Sequence, residues 1–199
     1  MSGPLSDTLK HLIAKARIVS FADWSAEYSA EAIAIFQAAD DDRQYLSDEE
    51  YSRLATLSPA LPPGGVAIAT ALRDSADEIV AEARGNVLAA FPGITDPGGG
   101  LYPPQRAEAC WRDFWQFLRC VTYGVATQQS SFTSAEGLHY MQLLYQELQV
   151  PLDAMVMGIE QLKVASLNRF PQSDPALLEP YFEHLRAALD RFRQPHSAV

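Results

Sequence analysis

The sequence predicts an all-α protein. Apolar residues recur at intervals of three and four, as in Leu9, Leu12 and Ala16, which is the spacing that one face of a helix requires. Outside such segments no stretch alternates apolar and polar residues as a strand would, and no internal repeat is found. At 199 residues, the chain has the length of one domain with additional elements.

The first three helices are indicated by their caps and breakers. Ser47 and Glu50 have the spacing of a capping box, in which each residue satisfies a backbone N–H group at the start of a helix. The acidic run Asp40-Asp41-Asp42 ends the preceding apolar pattern. The predicted helices run over about Leu5 to Val19, from a cap at Ser25 or Ser29 to the acidic run, and from Ser47 through Leu54.

Prolines mark the boundaries of the later helices. Phe91-Pro92 ends a long helix, because the residue before a proline is kept out of the helical conformation. Pro151 suits the first turn of another helix, where its missing N–H group is not needed. The predicted helices cover about Val66 to Ala90, Pro104 to Thr127, Ser134 (or Thr133) to Leu148, Pro151 to Leu167, and Glu179 to Arg193, with a loop over Pro59 to Gly65 and a linker over Pro171 to Pro175.

Composition restricts the function and the location. The formal net charge of −10 argues against a nucleic-acid binder, which needs a basic surface. The sequence contains no apolar run of about 18 residues, the length that a membrane-spanning helix requires. The N-terminus lacks the basic start and apolar core of a secretory signal, so a cytoplasmic location is expected. Cys110 and Cys120 lie about 15 Å apart along one predicted helix, too far for a disulfide, and the four histidines are scattered without metal spacing.

One stripe of the central helix carries candidate chemistry. Arg106, Cys110, Asp113 and Phe117 are spaced four, three and four residues apart, so they share one helix face. An elongated ligand on that face would meet a cation, a nucleophilic thiol, a carboxylate and an aromatic ring. Arg112 points off the stripe by the same geometry. The alternative is that Cys110 is a small buried hydrophobic residue and that Arg112 and Asp113 belong to a solvated face.

Several short motifs resemble those of the phycobiliproteins, the globin-like proteins that carry a linear tetrapyrrole (a bilin) on a cysteine. The resemblance covers about Leu46 to Leu167 and implies a globin-like bundle with two further N-terminal helices that pair subunits. Both ends extend past the resemblance, so we divide the chain into an N-terminal extension at 1–45, a core at 46–168, and an added linker and helix at 169–199. The motifs in order are Pro97-Gly98-Gly99 with Tyr102, Ala109-Cys110 with Arg112-Asp113, Leu118-Arg119 with Val121-Thr122-Tyr123, and Val150-Pro151 with Gly158-Ile159.

The resemblance assigns roles to residues of the central helix. Cys110 matches the attachment cysteine, Asp113 the carboxylate that binds the inner pyrrole nitrogens, and Arg112 a partner of a propionate. Arg106 matches a basic residue that the family often has at this position and, like Arg112, is expected to meet a propionate. Phe117 and Tyr123 complete the expected bilin contacts. Because no second attachment cysteine follows Leu148, the resemblance implies one bilin of the phycocyanobilin type in each chain.

The resulting function hypothesis is a bilin-binding protein for light harvesting or light sensing, without catalytic activity. It would pair with phycobiliprotein subunits or with itself, in the cyanobacterial cytoplasm and at the thylakoid through phycobilisomes. Two alternatives are a transient bilin carrier and a non-pigmented assembly factor that uses aromatic residues for contacts. A haem globin would need His139 as its iron ligand. The aromatic residues in question are Trp24, Tyr28, Trp111 and Trp115.

Overall fold

The computed structural model describes residues 6–170 and 175–194, and these residues form nine α-helices. The all-α prediction is confirmed. Leu5 and residues 171–174 of the predicted linker lie outside the described residues. The helices are α1 (Asp7–Lys15), α2 (Ala30–Asp41), α3 (Asp48–Leu57), α4 (Pro63–Asp74), α5 (Ala76–Ala90), α6 (Pro104–Thr127), α7 (Ala135–Glu147), α8 (Leu152–Arg169) and α9 (Glu179–Asp190).

Local signals in the sequence located most helix ends. Ser29 and Ser134 accept N-cap hydrogen bonds from Ala32 and Gly137, and Ser47 and Glu50 form the predicted capping box. The bounds of α6 are those predicted from the sequence. The confirmed caps satisfy backbone N–H groups that the first turn of a helix leaves without partners.

The long helix predicted from Val66 to Ala90 is wrong, because the structure divides it at Ser75 into α4 and α5. The two halves pack against different neighbours. α4 crosses α6 so closely that a Cβ on Gly65 would lie 2.5 Å from the carbonyl oxygen of Val125, whereas α5 packs mainly against α8. α4 also begins at Pro63, inside the predicted loop, because a proline is tolerated in the first turn.

Helix α6 is the centre of the molecule. Every residue of its second half, from Phe117 to Thr127, is buried, and the helix packs against α4, α5, α8 and α9. The α6–α8 crossing depends on Gly158, since a Cβ at this position would lie 2.1 Å from a ring atom of Phe114. The chemistry-bearing residues lie on the less buried first half of α6.

The N-terminal segment folds back onto its own core. Phe21, Trp24 and Tyr28 are buried, and the rings of Phe21 and Trp24 contact Phe36 of α2. Helix α1 packs against α7. The segment between α1 and α2 is fixed by backbone hydrogen bonds from Ser20 to Phe132 and from Ser134 to Ile18, at 3.0 and 2.8 Å. One wall of the first half of α6 is therefore built from residues near the N-terminus.

Helix α9 belongs to the same core. Phe182, Leu185 and Leu189 are at most 1% exposed, and the helix packs against both α8 and α6. These three residues recur at intervals of three and four, so they form one apolar face that closes the bundle.

Candidate functional site

A cavity of about 380 Å³ lies along the first half of α6. Its other walls come from the end of α1, the C-terminal end of α2, α7 and the turn before α8. Apolar side chains make up most of the lining, and charged side chains are set among them. The lining residues are Ile13, Ala16, Arg17, Ile18, Asp40, Arg43, Leu101, Arg106, Ala109, Cys110, Arg112, Asp113, Gln116, Arg119, Met141, Leu144, Tyr145, Leu148, Val150 and Pro151.

Cys110 presents the only thiol among these lining residues. The residue is 5% exposed and forms no disulfide. Burial raises the pKa of the Cys110 thiol to about 12, with a further contribution from the negative charge of Asp113 and an opposing one from Arg106. The thiol is therefore protonated at neutral pH, and it has to lose its proton before it can act as a nucleophile.

Asp113 lies one turn beyond Cys110 and accepts a hydrogen bond from the hydroxyl of Tyr145, at 3.2 Å. Burial raises the pKa of the Asp113 carboxyl to about 6. The Tyr145 hydrogen bond opposes this shift, as do the positive charges of Arg112 and Arg43. Near neutral pH, Asp113 is consequently a carboxylate with one protein donor and with further capacity to accept hydrogen bonds.

Arg106 closes the rim of the cavity. Its guanidinium donates to the carbonyl oxygens of Leu148 and Gln149, at 2.7 and 2.9 Å, and to that of Gly100, at 3.3 Å. These contacts join the glycine-rich turn before α6 to the turn between α7 and α8. The hydrogen-bonding capacity of Arg106 is therefore largely used within the protein.

The opposite end of the cavity holds a buried ion pair. Arg119 and Asp40 are 3% and 4% exposed, and Nη2 of Arg119 lies 2.8 Å from a carboxylate oxygen of Asp40. The other guanidinium nitrogens of Arg119 donate to Gln116 and to the hydroxyl of Tyr123, at 2.8 and 2.7 Å. This set of contacts joins α2 to α6 and leaves no nitrogen of Arg119 without a partner.

Four of the six residues singled out from the sequence line the cavity: Arg106, Cys110, Arg112 and Asp113. Arg112 does so although it lies off the predicted stripe, because the cavity continues along α6 towards Gln116 and Arg119. Phe117 is 1% exposed within the core and is not among the lining residues.

Tyr123 is also absent from the cavity wall. Its hydroxyl accepts the hydrogen bond from Arg119 and donates one to the carbonyl oxygen of Gln44. This tyrosine therefore belongs to the buried contacts between α6 and the end of α2.

Sequence reasoning missed Arg17, Asp40, Arg43 and Tyr145. The first three lie in the segment interpreted as an extension, and no short-range pattern connects them to α6. Tyr145 follows Met141 by four residues on the apolar face of α7, and a tyrosine hydroxyl on such a face needs a polar partner, which could have indicated its contact with Asp113.

The four aromatic residues that the assembly-factor alternative invoked do not line the cavity. Trp24, Tyr28 and Trp111 are at most 7% exposed, and Trp115 packs edge-on against Tyr45 with ring centroids 4.5 Å apart. Their contacts are thus largely within this chain.

His139 is exposed and does not line the cavity. In residues 6–170 and 175–194, no group of three or more His, Cys, Asp or Glu side chains could hold a metal ion. Over the same residues, no helix is both long enough and apolar enough to cross a membrane.

The fold and the cavity define a class: a globin-like helical bundle with a cavity along its central helix. Within that class, the chain belongs to the phycobilisome protein family, whose family model matches residues 34–189. It is 31% identical over 149 residues to an allophycocyanin alpha-B chain of Pyropia yezoensis, covering 74% of this chain and 91% of the relative. It is also 31% identical over 151 residues to an allophycocyanin alpha chain of Cyanophora paradoxa, covering 76% and 93%.

A solved structure shows the same fold. It is a far-red fluorescent biliprotein derived from an allophycocyanin F subunit of Chroococcidiopsis thermalis, with a TM-score of 0.58 and 23% sequence identity. The match covers 63% of this chain and 95% of that one. The globin-like phycobiliprotein fold is therefore confirmed.

The family match extends past the C-terminal limit of the resemblance. It reaches residue 189 and so includes α9 almost entirely, and α9 packs against α6 and α8.

Proposed function

We propose that this protein binds one linear tetrapyrrole of the phycocyanobilin type, covalently attached to Cys110, and that it serves light harvesting or light sensing. The observation that carries the proposal is the placement of Cys110, Asp113 and Arg112 on the wall of one cavity of about 380 Å³, within the usual size range of ligand sites. Its mixed lining of apolar and cationic side chains suits a flat, conjugated molecule with two carboxylate groups.

Different cavity residues would attach the pigment and orient it. Cys110 supplies a thiol that adds across a carbon–carbon double bond next to a terminal pyrrole ring. A carbon–sulfur bond forms, the thiol proton ends on the adjacent carbon, and nothing is oxidised or reduced. Because burial keeps the thiol protonated, we expect attachment to be slow unless a base or a partner protein assists the loss of the proton.

Asp113 and the arginines orient the pigment. The carboxylate of Asp113 accepts hydrogen bonds from pyrrole N–H groups, and such bonds to an ionised acceptor are shorter and stronger than neutral ones. Arg112 meets a propionate group, for which a guanidinium is well suited. Arg106 was expected to meet a propionate as well, but its hydrogen bonds to Gly100, Leu148 and Gln149 favour a role in holding the rim.

Partners and location follow from the same proposal. Relatives named allophycocyanin chains favour pairing with phycobiliprotein subunits or with a second copy, in the cyanobacterial cytoplasm and at thylakoid phycobilisomes. The proposed role is binding of a pigment without catalytic turnover. The non-pigmented assembly factor is less well supported, because Trp24, Tyr28 and Trp111 are buried in this chain's own core. A transient carrier would use the same cavity.

The test is co-expression with a bilin-producing pathway and a bilin lyase, followed by denaturing electrophoresis with zinc-enhanced fluorescence. We expect a fluorescent band for the unmodified protein and for Cys120→Ala, which removes the other free thiol, and none for Cys110→Ser. Slow loss of the pigment from the purified protein would favour the transient carrier. A dark band for the unmodified protein, beside a pigmented control subunit, would contradict the proposal and favour the assembly factor.

A further inference from the structure

The cavity is cationic although the protein is acidic. The whole chain has 15 Lys and Arg against 25 Asp and Glu residues. The cavity lining reverses this balance, with five arginines and two aspartates. Such a concentration of guanidinium groups is suited to a ligand with more than one carboxylate.

Three of the five are already engaged. Arg106 donates to three backbone carbonyl groups, and Arg119 is paired with Asp40. Arg17 lies 3.0 Å from a carboxylate oxygen of Asp41 and also contacts Asp40. A ligand carboxylate could approach these groups only by competing with contacts that hold the turns, α1 and α2 in place.

Arg43 and Arg112 are in a different situation. Among the described residues, neither guanidinium forms an ion pair or a hydrogen bond, and both side chains are exposed where they line the cavity. They are nevertheless close enough to Asp113 for their charges to lower the pKa of its carboxyl. Two unpaired cations, from α6 and from the end of α2, thus flank the carboxylate at the centre of the site.

The backbone of Arg43 adds an independent observation. Its N–H group bonds to the carbonyl of Asp40 and that of Gln44 bonds to the carbonyl of Ala39, which is the motif that usually ends a helix on a glycine. Arg43 occupies the glycine position with φ of 56°, where a side chain costs stability. Gln128 and Gln149 share this conformation. Arg43 differs from them because it combines the conformation with an unpaired guanidinium group on the cavity wall.

We propose that Arg43 binds one carboxylate of the ligand, as a second cation beside Arg112. The inference rests on the proposed bilin site and adds to it a residue from the N-terminal part of the chain. The ligand class is a molecule with two carboxylate groups and an apolar body. Arg43 would hold the carboxylate near the end of α2, and the strained backbone of this residue would be the cost of placing its side chain there.

The test compares a bilin with its dimethyl ester, in which both propionates have lost their charge. Dissociation constants are measured by fluorescence quenching for phycocyanobilin and for the ester, in a Cys110→Ala background that prevents covalent attachment. We expect the unmodified Arg43 protein to prefer the free acid, and Arg43→Gln to reduce that preference about fivefold, as for one partly exposed charge-assisted hydrogen bond. Arg53→Gln, an exposed arginine on α3 away from the cavity, should leave the preference unchanged.

A second variant separates binding from folding. Arg43→Gly relieves the left-handed backbone, so it should raise the Tm of the ligand-free protein by about 1–3 °C while reducing the preference for the free acid as Arg43→Gln does. An unchanged preference in both variants would overturn the inference and leave the bilin site standing. If the Cys110→Ala protein bound neither the acid nor the ester, the proposed function and this inference would fail together.

Discussion

The two ends of the cavity differ in whether their charged side chains are paired within the protein. At one end, Arg119 and Asp40 are buried and fully paired, with Tyr123 and Gln116 taking the remaining donors. At the other end, Cys110 carries a protonated thiol, Asp113 accepts one hydrogen bond, and Arg112 pairs with no described residue. The paired end connects the N-terminal segment to α6, and the unpaired end is where we propose that the ligand binds. Groups that stabilise the fold and groups that serve binding can thus be distinguished by whether the protein already satisfies them.

The largest expected effect on stability comes from removing the buried ion pair at the paired end. Asp40→Ala leaves the buried guanidinium of Arg119 without its charge partner, which typically costs about 3–5 kcal/mol of unfolding free energy. Urea unfolding of the ligand-free protein measures this loss. The matched control is Asp42→Ala, two residues away on the exposed end of α2, which should change stability by less than about 0.5 kcal/mol. Equal effects of the two substitutions would contradict the assignment of Asp40 to the stability of the fold.

At the unpaired end, the titration of Asp113 should make the unfolding free energy depend on pH. The pKa of Asp113 is raised to about 6 in the folded protein from an ordinary value of 3.8, so folding favours the protonated carboxyl. This contribution to stability is fully present below pH 3.8 and is lost as the pH rises through 6, by at most about 3 kcal/mol. Asp113→Asn removes the titrating group, so its stability relative to the unmodified protein should rise between pH 4 and pH 7. Urea unfolding at each pH measures both proteins. If the unfolding free energies of the unmodified protein and Asp113→Asn changed in parallel with pH, the site would not raise this pKa.

Arg106 sharpens the comparison, because it lies near the unpaired end and is itself paired. Arg106→Gln removes hydrogen bonds to carbonyl groups of two separate turns, and we expect a loss of about 1–2 kcal/mol. Hydrogen exchange should become faster at Gln149 and Val150, whose turn Arg106 holds. If stability and exchange were both unchanged, Arg106 would instead be free to bind a propionate, as the sequence analysis supposed.

The same distinction explains what the sequence could predict. Caps at Ser29, Ser47 and Ser134 and the bounds of α6 depend on residues within four positions of one another, and they were predicted. The helix break at Ser75 depends on the different partners of α4 and α5, so the local pattern gave no sign of it. Four site residues of α6 came from one helix face and a family resemblance. Asp40 and Arg43 could not, because only the folding of the N-terminal segment onto α6 brings them to the cavity.

The smallest expected effect on stability is also the most informative about the unpaired end. Arg112 makes no ion pair or hydrogen bond to any described residue and is exposed, so Arg112→Gln should change the unfolding free energy by less than about 0.5 kcal/mol. The same substitution should weaken binding of a free bilin acid, because a propionate would lose its guanidinium partner. Thermal unfolding and a bilin titration on one preparation test both statements. A loss of stability comparable to that of Arg106→Gln would show that Arg112 supports the fold, and the division between the two ends of the cavity would then no longer hold.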